Sequence, residues 1–262
     1  MANDATKYSA VVFFKAALPL MKYIAADVPS LAKEFEGVDA VYQVSAMDGS
    51  EKNAIHFIVK NGEWTVVHGC YDGKLDGELA FSSLEKFVAF MKGNMAKLPK
   101  FKIGNTGKFI KFMKVLLKMS SLLNMAEPPK NDEETSLLLV KLYYYLLSTG
   151  ISALNKAGEP TISKWIASSP DRVYQWEVVG HPELTAHLRI NHGKSKACKG
   201  AYDRANPFFI MRYDNATSAL MILLDTGDMF DMTAGGQLML VGGPEFGVQL
   251  GDAMMLVGGY AK

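Results

Sequence analysis

The chain has 262 residues, 49% hydrophobic and 21% charged, with a net charge of +1. Such a composition excludes a disordered or fibrous chain and leaves room for two cores of ordinary size, and the near-neutral charge argues against a nucleic-acid binder. Only two cysteines are present, Cys70 and Cys198; they stand at non-equivalent places in the repeat described below, which excludes a repeated disulfide or metal framework.

In chain order, an apolar helical lead-in over Tyr8–Ala25 comes first. Ala40–Met47 and Asn53–Lys60, rich in β-branched and aromatic residues, read as strands around Asp48-Gly49, and Glu63–Gly69 follows across Asn61-Gly62. An Asn-Gly pair between such runs is the strongest short hairpin signal. Gly77–Phe81 reads as a fourth strand. Ser82 with Glu85 then reads as a capping box that opens a helix ending at Gly93, Phe101–Gly104 as a last strand, and Lys108–Asn124 as a closing helix.

Glu127-Pro128-Pro129-Lys130 is the expected linker, because paired prolines end a helix and resist restarting one. After it comes a second lead-in helix, Glu134–Leu154. Strands are expected at Val173–Val179, Leu184–Asn191, Lys194–Gly200 and Phe208–Arg212, a helix at Asn215–Leu224, a strand at Gln237–Val241 and a helix at Glu245–Leu256.

The order repeats because the sequence repeats. Asp39-Ala40-Val41-Tyr42-Gln43 returns as Asp171-Arg172-Val173-Tyr174-Gln175, and Gly69-Cys70-Tyr71-Asp72 returns at nearly the same offset as Gly200-Ala201-Tyr202-Asp203. His56 falls on His187 and Gly62 on Gly193; further along, Ile103-Gly104 falls on Val241-Gly242. A period that takes up half the chain marks a duplicated globular unit, since solenoid repeats run to about 20–50 residues. The expected domains are 1–126 and 127–262. Each is α+β, a five-stranded antiparallel sheet covered on one face by helices.

The strand–turn–strand ending in Gly, the helix Phe87–Lys92 stopping at Gly93, the Lys102-Ile103-Gly104 strand and the apolar closing helix resemble the sterol carrier protein 2 (SCP2) family. In the second copy the resemblance rests on Leu223–Gly227, Gly236–Gly242 and the helix after them; it covers roughly 39–124 and 171–260. It implies a five-stranded sheet roofed by helices, with a tunnel between them for fatty acyl chains, sterols or other lipids. It brings no catalytic residues, and such domains also occur fused to enzymes as substrate or dimerisation modules.

On that reading the expected ligand wall is Phe87, Phe90, Met91, Phe109, Phe112, Met113 and Leu116 in the first copy, and Phe230, Phe246, Leu250 and Met254 in the second. The 15 methionines suit an irregular apolar ligand as well as they suit core gaps. On a helical wheel Lys108, Lys111, Lys114 and Lys118 form one basic stripe beside a wide apolar arc. That helix is either a core element with a solvated edge or a docking surface for anionic membrane. The halves differ in charge accordingly, +4 over 1–126 and −3 over 127–262. In the second closing segment Gly243, Gly247 and Gly251, spaced four apart, serve either tight packing within the domain or a ligand lying on that face.

No catalytic signature stands out. The five histidines form no HExxH pair and have no cysteine at ligand spacing. His56 and His187 read as structural residues of strands. Asp72–Gly77 fails as a calcium loop because Lys74 occupies a ligand position and Ser83 the twelfth. There is no nucleophile elbow, phosphate loop or dinucleotide fingerprint, and the repeated Tyr-Asp pairs read as turn structure. Basic and aromatic residues alternate at Lys100-Phe101-Lys102, but beside an amphipathic helix and in a near-neutral chain this does not make a nucleic-acid surface. No metal or cofactor is expected.

Leu137–Ile151, interrupted by Lys141 and Ser148, reads as too short to span a membrane, and the N-terminus lacks the order of a secretory signal, so a cytoplasmic location is expected. The leading expectation is a noncatalytic intracellular protein that binds or transfers a hydrophobic molecule. The alternatives are an accessory protein presenting such a molecule to a partner enzyme, and an enzyme acting on acyl compounds.

Overall fold

The computed structural model describes residues 2–262. The chain divides into two compact units, Met1–Ser121 with Tyr260–Lys262, and Leu122–Gly259.

The first unit starts with α1 (Asp4–Val12), capped by Asn3, whose side chain accepts from the Thr6 N–H. It continues through a π-helical turn at Phe13–Ala17 and a 3₁₀ turn at Leu18–Leu20 into α2 (Met21–Asp27). The single expected lead-in helix is thus broken near Pro19, where the missing N–H interrupts the ladder. A further helix, α3 (Pro29–Phe35), was not expected; it opens on a proline at its first position, where the fixed φ suits a helix start.

The sheet comprises β1 (Ala40–Asp48), β2 (Glu51–Lys60), β3 (Glu63–His68), β4 (Gly77–Phe81) and β5 (Lys100–Ile103) in the order β3-β2-β1-β4-β5. Asn61 and Gly62, at φ 48° and 83°, turn β2 into β3 as the Asn-Gly signal predicts. Gly62 is also required sterically, because a Cβ there would lie 2.7 Å from the Phe35 carbonyl oxygen. α4 (Leu84–Met91) is capped by Ser83, one residue later than the capping-box expectation: Ser83 Oγ accepts from the Lys86 N–H at 3.3 Å. The closing helix is α5 (Thr106–Leu123).

The second unit comprises α6 (Glu133–Lys156), α7 (Pro160–Ser168), β6 (Arg172–Val178), β7 (His181–Asn191), β8 (Lys194–Lys199), β9 (Phe209–Tyr213), α8 (Ala216–Leu223), α9 (Met229–Ala234), β10 (Leu238–Val241) and α10 (Pro244–Ala261). Its sheet runs β10-β9-β6-β7-β8, the same order read from the other edge. The helices α7 and α9 were not expected; α9, with six residues, is too brief for periodicity to register.

The sheets are mixed, not antiparallel. β1 pairs with β4 in parallel, and β6 with β9. The cause is the connection after the third strand: 69–76 and 200–208 carry the chain back across the sheet, so the fourth strand starts at the same end as the first and lies on its free side. Each crossover is pinned the same way. Gln43 Oε1 accepts from the Tyr71 N–H at 2.8 Å, and Gln175 Oε1 from the Tyr202 N–H at 2.9 Å. His56 Nδ1 lies 2.8 Å from the Gly69 carbonyl and His187 Nδ1 2.8 Å from that of Gly200. The repeated histidines and tyrosines thus serve this one joint.

Alternation sorts the strands into two faces. In the first unit Tyr42, Val44, Ala46, Phe57 and Leu79 face the helices, where Tyr42 stacks on Phe112 at 4.6 Å and Phe14 on Phe87 at 4.3 Å. Gln43, Ser45 and Glu78 occupy the other face and are also buried. Glu78 accepts from Gln43, Ser45, Lys52 and Lys102 at 2.6 to 2.8 Å. In the second unit Glu177, Gln175 and Arg212 make the corresponding group. There the core is built on Trp176, whose indole N–H points at Met254 Sδ, 3.4 Å away.

α6 is 24 residues long and, with the segment Asp4–Asp27, has the length and apolarity of a membrane span, so the expectation that it is too short is corrected. Two thirds of the most apolar 18-residue stretch of each is buried within the fold, as in a core helix.

Candidate functional site

The last strand and closing helix of each unit expose apolar side chains at matched positions. Phe101 and Ile103 on β5, with Ile110 and Leu117 on α5, are 42%, 52%, 52% and 58% exposed. Each has a counterpart at one constant offset in the sequence: Met239 and Val241 on β10, Val248 and Met255 on α10, at 54%, 38%, 51% and 66%. Single exposed apolar residues are ordinary, but here the same four positions are exposed and apolar in both units. Gly104 and Gly242, separated by that same offset, end the two strands in close contact with backbone: a Cβ would lie 2.2 Å from the Leu75 carbonyl oxygen in one and 2.9 Å from that of Phe208 in the other. These eight side chains were missed as site candidates, although the spacing of the two Gly residues could have found them.

The expected ligand wall is only partly assembled. Phe87, Phe109, Phe112 and Leu116 are buried together under the first sheet, and Phe90, Met91 and Met113 are half-buried beside them. Ring pairs, among them Phe109 with Phe112 and Phe57 with Phe112, occupy this interior. In the second unit Leu250 and Met254 are buried and Phe246 is half-buried. Phe230 departs from the expectation: α9 turns it outward, 77% exposed. Clefts of about 510 Å³, at the heads of α6 and α8, and about 230 Å³, beside α1, lie elsewhere and include none of these residues.

Three of the four lysines of the stripe have partners within their own unit. Lys108 pairs with Asp76 at 3.1 Å, Lys111 donates to the Glu34 carbonyl at 2.5 Å, and Lys114 pairs with the Glu34 carboxylate at 2.7 Å; Lys118 is half-buried. α5 is thereby tied to α3 and to the crossover. Gly247 on α10 packs closely inside its own unit, since a Cβ there would lie 3.1 Å from the Phe209 ring. Gly243 precedes the helix.

A second missed group lies where α7, β6 and α10 meet. Trp165 Nε1, Arg172 Nε and Tyr174 Oη are all buried; Arg172 and Trp165 direct N–H groups toward the Tyr174 oxygen, and no other protein atom completes a hydrogen bond to the three. Trp165 and Tyr174 meet edge to face at 5.5 Å. Arg172 lies over the rings of Phe208 and Phe246, at 4.3 and 4.6 Å. Burial pushes the Tyr174 phenol above its ordinary value, and the nearby N–H groups of Arg172 and Trp165 offset part of that rise. Among the described residues no cluster of three or more His, Cys, Asp or Glu could hold a metal ion.

No family model and no curated protein matches the chain. Among solved structures it is similar to one described as a UbiJ-SCP2 ubiquinone synthesis protein, at 15% identity over 45% of this chain and 96% of that one, with a TM-score of 0.30. It is also similar to a conserved hypothetical protein from Thermus thermophilus for which a sterol carrier identity is suggested, at 17% identity over 42% and 85%, TM-score 0.29. A stereoselective inverting sec-alkylsulfatase from Pseudomonas sp. matches at 12% identity, TM-score 0.27, where 58% of this chain covers 30% of the enzyme. At these scores the likenesses carry no weight in assigning a function.

Proposed function

We propose that the chain binds or transfers a hydrophobic molecule, without catalysis, through two sterol-carrier-like units derived by duplication. The observation that carries this reading is the matched apolar surface: four positions, each exposed and apolar in both units and all related by one constant offset. Exposing large apolar side chains has a cost in solubility and is explained by contact with an apolar partner. The ligand class is fatty acyl, sterol-like or other lipid, lying against the last strand and closing helix and reaching the residues beneath, Leu116 in one unit and Met254 in the other.

Native mass spectrometry of the gently purified full chain tests this. The expected result is one or two lipid-sized adducts per chain that disappear in the double variant Ile103→Lys, Val241→Lys, whose changes lie at exposed positions and leave the cores intact. A bare polypeptide mass, together with no uptake of a fluorescent fatty acid, would reject the reading.

A further inference from the structure

The two units treat one repeated tyrosine differently. In the first, Tyr42 Oη donates to the Lys108 carbonyl at 2.9 Å, and Ala40 stands two residues before it. In the second, Tyr174 occupies the same strand position, but its hydroxyl meets no backbone acceptor and lies beside the N–H groups of Trp165 and of Arg172, which replaces the alanine. Phe246 stands at the position that Lys108 holds in the first copy, and its ring lies under the Arg172 guanidinium. In the second unit the tyrosine hydroxyl is thus surrounded by two further donors and an aromatic wall, where that of Tyr42 meets a backbone acceptor.

We propose that Trp165, Arg172 and Tyr174 form an anchor for the carboxylate of an amphipathic ligand, with Phe208 and Phe246 holding the apolar part next to it. Two of the three groups only donate, and the tyrosine hydroxyl donates as well, so the complement is an oxygen-rich acceptor. A planar carboxylate offers two oxygens to a planar guanidinium and is the usual partner of such a fork. Arg172 needs one: Arg189 pairs with Asp171 and Arg212 with Glu177, whereas Arg172 meets no carboxylate among the described residues. Tyr174 is fully buried, so its hydroxyl lies among these groups and away from solvent. The mouth of the site is apolar and accessible, with Phe208 38% exposed, and Gly242, which follows the exposed Val241 of β10, lies against the Phe208 backbone. The anchor thus sits at one end of the apolar surface described above. This inference rests on the lipid-binding reading and adds a head group and a single polar site per chain.

The test uses the full chain and two fluorescent probes, cis-parinaric acid and its methyl ester. Arg172→Met is expected to weaken the acid about ten-fold, the effect of removing a hydrogen bond to a charged group, while leaving the ester unchanged. Tyr174→Phe is expected to weaken the acid by a smaller factor, again without effect on the ester. In the wild type the indole N–H resonance of Trp165, assigned by its loss in Trp165→Phe, is expected to shift with the acid and not with the ester; this readout is taken on the unaltered anchor, the variant serving only the assignment. If the wild type binds acid and ester alike and neither substitution distinguishes them, or if both probes are lost together, the anchor is overturned while hydrophobic binding stands. If the wild type binds neither probe, the lipid-binding reading fails, and the anchor fails with it.

Discussion

Replacing Phe112 by alanine is expected to lower the stability of the first unit by about 3–5 kcal/mol, the usual cost of deleting a buried aromatic ring. Phe112 is fully buried on α5. Its ring stacks on Tyr42 at 4.6 Å and on Trp64 at 6.4 Å, and lies 5.9 Å from Phe57, so three strands lose a partner with it. Those rings belong to strands whose backbones are fixed by pairing, which limits collapse into the space left behind. Urea unfolding of the full chain, followed by fluorescence, measures the effect. The substitution also decides what this residue is for: a core side chain gives the full loss, whereas a wall residue beside an open tunnel gives less than about 1.5 kcal/mol, because removing it creates little new cavity. Phe112→Leu is expected to recover more than half of the loss.

The positions of the strands along the chain were legible because the residues that specify them act locally. Asn61-Gly62 sets a turn through its own φ angles, and alternation in Ala40–Met47 and Asn53–Lys60 follows the two-residue period of a strand. The parallel pairing of the first and fourth strands was not legible, since it depends on where the crossover lands. Yet its fastenings, Gln43, His56 and Tyr71 with their counterparts Gln175, His187 and Tyr202, were already visible as repeated residues; what the sequence lacked was the knowledge that they meet. Phe230 shows the same limit from another side. Apolar character placed it on a cavity wall, but α9, a six-residue helix capped by Asp228, directs it to solvent. Trp165 and Arg172 escaped notice because they do not repeat, and repetition was the signal being followed. A side chain that one copy acquires and the other lacks points at least as strongly to a special role.

Glu78→Gln is expected to destabilise the first unit at neutral pH, by an amount that vanishes in acid. Burial by itself pushes this carboxyl up, but hydrogen bonds from Lys102, Lys52, Ser45 and Gln43 together outweigh it and bring it down to about 2, from an ordinary 4.5. A carboxylate depressed in the folded state contributes stability that is complete above about pH 4.5 and is lost as pH falls toward 2; at roughly 1.4 kcal/mol per unit the full contribution is about 3 kcal/mol. Glutamine keeps the shape and one acceptor oxygen, but it forfeits both ion pairs and brings an amide whose donors face Lys52 and Lys102, which have no acceptor to offer. Both lysines are partly exposed, at 36% and 51%, so they return to water when their partner is neutralised and add little cost of their own. Urea midpoints of wild type and variant, measured at pH 7, 4 and 2.5, are expected to differ most at pH 7 and to converge at pH 2.5. A gap that stays constant across that range would mean that the variant's cost comes from packing alone, and that Glu78 holds the crossover face together by shape, not by charge.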